Sequence, residues 1–172
     1  MKLRSLTVIA LGAALFTAGE VRAQQPYPLD VVPDKMPFDI PYGAPIGLER
    51  ADAILNAALG EARKHDWKLV CSVVDSGGQL VAFKRMDGAQ LASIDISQHK
   101  ARTAAMFRRE TKAFEAGIQG GNVYLLTLDG VIGSRGGIPL VADGRLIGAI
   151  GCSGGTGSQD EVGAKAGVAA LR

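Results

Sequence analysis

Leu69-Val70-Cys71-Ser72-Val73-Val74-Asp75-Ser76-Gly77-Gly78-Gln79-Leu80-Val81-Ala82-Phe83-Lys84 decides the fold class. A short valine-rich run is followed at once by Asp-Ser-Gly-Gly and then by a second β-prone run, the pattern of two antiparallel strands joined by a tight turn. Arg85-Met86-Asp87-Gly88 closes the second arm. So short a connection leaves no room for the crossover that a parallel neighbour requires.

Working downstream, Val123 to Leu128, Gly137 to Ala142 and Arg145 to Ile150 read as three more strands. They are separated by Asp129-Gly130 and by Asp143-Gly144, the stronger hairpin turn of the two. Helices stand around them. Leu48 to His65 places Leu48, Ala51, Leu55, Ala58, Leu59 and Ala62 at three-to-four spacing, with Pro45 and Gly47 marking its start. Leu91 to Ile118 contains no proline and is rich in Ala, Lys, Arg and Glu, which predicts a long helix, open to a break near Arg108 to Thr111. Gly120-Gly121-Asn122 ends it. Ser158 with Glu161 reads as a capping box ahead of a closing helix, Val162 to Leu171. The order α-β-β-α-β-β-β-α predicts an α+β domain, an antiparallel sheet of about five strands with helices packed on it.

The N-terminal end has a different character. Lys2 and Arg4 precede an apolar run from Leu6 to Ala18, and Val21-Arg22-Ala23 follows as a small-residue cleavage site. This is the pattern of a secretory signal over residues 1–23, with Gln24 as the expected mature start and a periplasmic or secreted destination. The run falls short of the roughly 20 residues that span a bilayer, and no second apolar run offers a span. The formal net charge of +2 comes from the signal, since residues 1–23 carry Lys2, Arg4 and Arg22 against Glu20. A neutral mature chain argues against nucleic acid, whose phosphates need a concentrated cluster of Lys and Arg. Residues 24–46 hold six of the seven prolines together with Tyr27, Met36, Phe38, Ile40 and Tyr42. They predict an extended arm anchored on its own domain or on a neighbouring subunit. Residues 47–172 form the domain proper.

Six motifs occur in order: Tyr42-Gly43-Ala44-Pro45-Ile46, Val73-Val74-Asp75-Ser76-Gly77-Gly78, Arg85-Met86-Asp87-Gly88, Ser93-Ile94-Asp95-Ile96, Lys100-Ala101-Arg102-Thr103-Ala104 and Gly148-Ala149-Ile150-Gly151-Cys152-Ser153-Gly154-Gly155. Together they resemble the GlcG/HbpS family of haem-degrading or haem-binding domains, from about Met36 onward. The resemblance implies a profilin-like sheet, assembly into dimers or larger homo-oligomers, and an association with haem or corrinoid ligands. Cys152 stands where a valine is common in that family. The implied fold lays the first and last strands side by side, which makes Cys71 and Cys152 a candidate disulfide if their Cα atoms lie within about 7 Å. Otherwise they are two small core residues. Neither belongs to a Cys/His cluster, so no metal site is expected.

A haem site needs an axial ligand, an apolar slot and usually a cation for the propionates. His99 is the first candidate, with Asp95 and Thr103 one turn away on either side; the alternative is a surface histidine bonded to Asp95. Lys100 and Thr103 share a helix face and can present an ammonium and a hydroxyl together. Arg85 and Asp87 either join them in a polar pocket or tie hairpin to helix. His65 suits the C-terminal dipole of the first helix, and Met86 and Met106 read as core or interface residues.

Gly154, Gly155, Thr156 and Gly157 precede a helix and form an anion-loop candidate. They lack the Gly-Lys-Ser/Thr ending of a phosphate loop, and tight packing explains these glycines equally well. Ser153 has no Gly-x-Ser-x-Gly surroundings, which argues against a triad with a histidine and Asp75. Asp75 and Lys100, with Asp87 and Asp160, remain the groups available for metal-free acid and base work. Three functions stay open: an exported haem-binding protein, an enzyme acting on a small oxygenated metabolite, and a structural or sensory homo-oligomer without a ligand.

Overall fold

The computed structural model describes residues 32–171; the expected signal and the first part of the arm, residues 24–31, lie outside them. Helix α1 spans Leu48–Lys64, strands β1 and β2 span Val70–Asp75 and Leu80–Arg85, and α2 and α3 span Ser93–Phe107 and Thr111–Gln119. Strands β3 and β4 span Gly137–Ala142 and Arg145–Ser153, and α4 spans Gly157–Ala169. The sheet is antiparallel throughout, in the order β2-β1-β4-β3.

The alternation of side chains along the two central strands builds two cores. Cys71, Val73, Ile150 and Cys152 face α1 and α4, where they pack with Ile54, Leu55, Ala58 and Ala164. Val74 and Ala149 face the other way, against Ala101, Ala104 and Ala105 of α2. Both faces of β1 are covered, which is why it reads as an unbroken apolar run. Two hydroxyl pairs stitch α2 to the sheet: Ser72 Oγ lies 2.8 Å from Ser97 Oγ, and Ser153 Oγ donates to Ser93 Oγ at 3.0 Å.

Cys71 and Cys152 are direct partners in the β1–β4 register and form a disulfide, with Cα atoms 4.2 Å apart and a sequence separation of 81. Both are fully buried.

Two expectations need correction, and one left open is decided. The stretch from Val123 to Leu128 is not a fifth strand: Val123–Thr127 is a 3₁₀ segment, leaving a four-stranded sheet. Its flanking glycines, Gly121 and Gly130, take positive φ of 96° and 79°, and the turn closes on itself through Leu125 N to Asn122 O. An apolar run that short carries no period by which strand and turn differ. The helical stretch does break within Arg108 to Thr111, where the sequence leaves room for it, because Arg108 adopts the left-handed conformation at φ 54° and stops α2. The capping box belongs to Thr156 and Gln159, not to Ser158 and Glu161, since β4 runs on to Ser153 and α4 begins at Gly157.

From Met36 the arm belongs to the same compact unit as the domain. Gly43 N donates to Leu146 O at 2.7 Å, and Leu146 N donates to Pro41 O at 2.9 Å. Tyr42 Oη donates to Met106 O at 3.0 Å, and the Arg109 guanidinium lies 3.4 Å from the Phe38 ring centroid. The arm is thereby fastened to the C-terminal end of α2.

Opening a loop of this length in the unfolded chain restores conformational freedom worth about 4–5 kcal/mol. The Cys71→Ala/Cys152→Ala variant is expected to lose about that much unfolding free energy in urea titrations, and an unchanged midpoint would contradict a stabilising role.

Candidate functional site

Helix α2 has two working faces, because residues one apart on a helix point about 100° apart while those three or four apart align. Asp95, His99, Arg102 and Met106 follow that spacing and line an open groove of about 630 Å³, completed by Gln98, Phe107, Asp129 and Gly130. His99 is half-buried, and among the described residues no hydrogen bond joins it to Asp95. Arg102 and Met106 are exposed at the groove, and the Met106 sulfur packs toward Gly78 at the tip of the β1–β2 hairpin. The groove therefore gathers an imidazole, a thioether, a guanidinium, a phenyl ring and two carboxylates.

Lys100 and Thr103 lie on the inner face. Lys100 is 1% exposed and its Nζ donates to Asp160 Oδ2 at 2.7 Å. Asp160 also accepts from Gly155 N at 3.0 Å. Burial pushes the Asp160 carboxyl above its ordinary value, opposed by the Lys100 ammonium and the Gly155 amide. Thr103 is fully buried and donates from Oγ1 to Gly130 O at 2.6 Å. Neither side chain lines the groove.

The remaining candidates lie elsewhere. Arg85 and Asp87 line a separate shallow cleft with Arg63, Lys68 and Met86. Asp75 Oδ1 accepts from Gly77 N at 2.8 Å and from Gln79 N at 2.9 Å, which closes the hairpin turn. Two amides at the centre of the loop from Gly154 to Gly157 are engaged internally: Gly155 N on Asp160, and Thr156 N on Gln159 Oε1 at 2.8 Å. Glu161, in the first turn of α4, is held below the usual carboxylate range chiefly by the hydrogen bond from Lys165, with Lys112 adding to it. The positive end of α4 thus faces the protein's own carboxylates. Ser153 is buried against Ser93, away from both histidines. His65 sits beside Glu61 at 3.3 Å and stacks on Trp67. Met86 packs against the main core.

Of the expected site residues, the groove takes His99 alone and adds Asp95, Gln98, Arg102, Met106, Phe107, Asp129 and Gly130. Counting four positions back and three on from His99 finds Asp95 and Arg102, and four more from Arg102 reach Met106. Asp129 and Gly130 carry no such signal, since they arrive from across a turn whose conformation was misread.

Comparison with known proteins places these observations in context. The family described as Haem degrading protein HbpS-like matches residues 46–169. Protein GlcG of Escherichia coli K12 is 45% identical over 105 residues, covering 61% of this chain and 78% of GlcG. A double mutant of Streptomyces reticuli HbpS superposes with a TM-score of 0.70 at 29% identity, covering 83% of this chain and 97% of the other. A PduOC complex with haem superposes with a TM-score of 0.68 at 28% identity, covering 75% and 96%.

Replacing Lys100 by Met strands a buried carboxylate, for which the usual cost is about 3–5 kcal/mol. With the ammonium gone, burial raises Asp160 further, so the folded variant holds a proton more readily than its unfolded chain. The deficit therefore shrinks as pH falls toward the acid range and grows as pH rises. Urea unfolding of Lys100→Met at several pH values checks both magnitude and sign; a flat, small loss would contradict the ion pair's structural role.

Proposed function

The chain belongs to the haem-degrading HbpS-like family, and from that premise we propose that it binds a small molecule, haem or a related tetrapyrrole, in the groove along α2. The observation that carries this reading is the groove's donor set on one helix face. His99 offers an imidazole and Met106 a thioether to a metal centre, Arg102 offers a guanidinium to a propionate, and Phe107 offers an apolar surface to a flat ring. These residue types fit the group. The volume, about 630 Å³, lies within the range of small-molecule sites. Haem, when bound, would supply an iron open to nitrogen or sulfur ligands, and His99 or Met106 would hold it. The chain's own part is to bind, to orient the ring plane, and to meet the propionates with Arg102.

Binding is favoured over acid–base catalysis because Asp75 and Lys100 are both engaged in the framework. The same proposal places the protein outside the cytoplasm. Support comes from the basic start and apolar run of residues 1–23 and from the Cys71–Cys152 bond, since disulfides persist in oxidising compartments. Assembly into a homo-oligomer completes the reading, supported by the exposed apolar side chains of Val123 and Leu126.

The test is a titration of the purified protein with haemin. A saturable Soret shift is expected, and His99→Ala should alter the Soret position and weaken binding by roughly tenfold or more, as loss of an axial ligand does. Unchanged spectra in that variant would remove His99 from the site, and no saturable shift in the wild type would end the haem reading.

A further inference from the structure

The part of the groove's lining that does not come from α2 is the wall at Asp129 and Gly130, in the segment that follows the 3₁₀ turn. It is lightly held. Gly130 has a positive φ of 79°, and the 3₁₀ segment before it packs chiefly on α3. Further along, the chain is anchored again where Arg135 N donates to Glu115 at 2.7 Å and Gly137 N donates to Thr111 Oγ1 at 2.9 Å. Between these anchors one bond stands out: among the described residues, Thr103 Oγ1 to Gly130 O, at 2.6 Å, is the only hydrogen bond from another element to residues 129–134.

We infer that Thr103 is a positioning residue of the groove: without touching the ligand, it fixes the Asp129–Gly130 wall at a set distance from α2 and so keeps the groove open to one width. The inference rests on the reading of this groove as the ligand site. Helix geometry makes the arrangement economical. Thr103 directly follows Arg102, so one helical position reaches the ligand side while the next holds the opposite wall from beneath. Full burial keeps the Thr103 hydroxyl away from competing water, whereas the Gly130 position is exposed. Losing the hydroxyl leaves a carbonyl that water can satisfy, so the fold tolerates the loss while the wall gains freedom.

The test compares the wild type with Thr103→Val, which keeps the shape and removes the hydroxyl, and with Thr103→Ser, which keeps the hydroxyl. Amide hydrogen exchange of the ligand-free full chain reads the wall directly, because Val131 N donates to Leu128 O within it. Exchange over residues 126–132 should accelerate about tenfold in Thr103→Val, the scale of one net hydrogen bond, with the rest of the domain unchanged. Haemin should dissociate about tenfold faster from the same variant, and Thr103→Ser should restore both measurements.

Exchange that stays at the wild-type rate in Thr103→Val overturns the inference. So does accelerated exchange with unaltered haemin affinity and dissociation. If the wild type binds no haemin at all, the ligand reading falls, and the exchange comparison alone still decides whether Thr103 holds the wall. If Thr103→Val loses its global protection, Thr103→Ser decides: wild-type exchange and haemin release in Thr103→Ser support the role, and accelerated wall exchange despite the retained hydroxyl overturns it.

Discussion

The backbone of α2 lies so close to the sheet that a Cβ added at Gly151 would stand 2.1 Å from the carbonyl oxygen of Ser97, and one at Gly137 would stand 2.3 Å from that of Lys100. Only glycines on β4 and β3 permit this approach. The rest of the site depends on it. With Ala101, Ala104 and Ala105 pressed on the strands, the remaining positions of the helix are committed to a face. Lys100 and Thr103 must find partners inside the fold, and Asp95, His99, Arg102 and Met106 are left along the opening.

An inward lysine is costly unless paired, and the pairing shapes a second region. Asp160, in the first turn of α4, receives the Lys100 ammonium and the Gly155 amide together. That arrangement draws the glycine-containing loop after β4 onto the protein's own carboxylate. A loop that looks like an anion cradle in sequence is thus filled from within. On the far side of the sheet the Cys71–Cys152 bond joins the two central strands, so the platform under α2 is held covalently as well as by its ladder.

Much of this was legible in the residues. The hairpin of β1 and β2, the Asp143-Gly144 turn, α1 and the α+β class follow from periodicity and turn chemistry, because those signals are local. The resemblance to the GlcG/HbpS family pointed to neighbouring first and last strands, and Cys71 and Cys152 do face each other across β1 and β4. What was not legible depends on distance in space. Val123 to Leu128 has strand-like residues, but it closes as a 3₁₀ turn that packs on α3 and does not join the sheet. His99 and Lys100 are adjacent in sequence and read as one site. A single helical step sends one to the groove and the other to a buried ion pair, and only the packing of α2 decides which goes where. Arg85 and Asp87 are near Lys100 in order along the chain but line a different cleft.

In the proposed reading α2 separates its duties by face, ligand outside and framework inside. It is tested most directly by amide chemical-shift mapping of the protein titrated with a diamagnetic gallium protoporphyrin. The account predicts shifts concentrated at Asp95, His99, Arg102, Met106, Asp129 and Gly130, with Gly155 and Asp160 unmoved. Shifts centred on the Gly154 to Gly157 loop, or on Arg63 and Arg85, would contradict it.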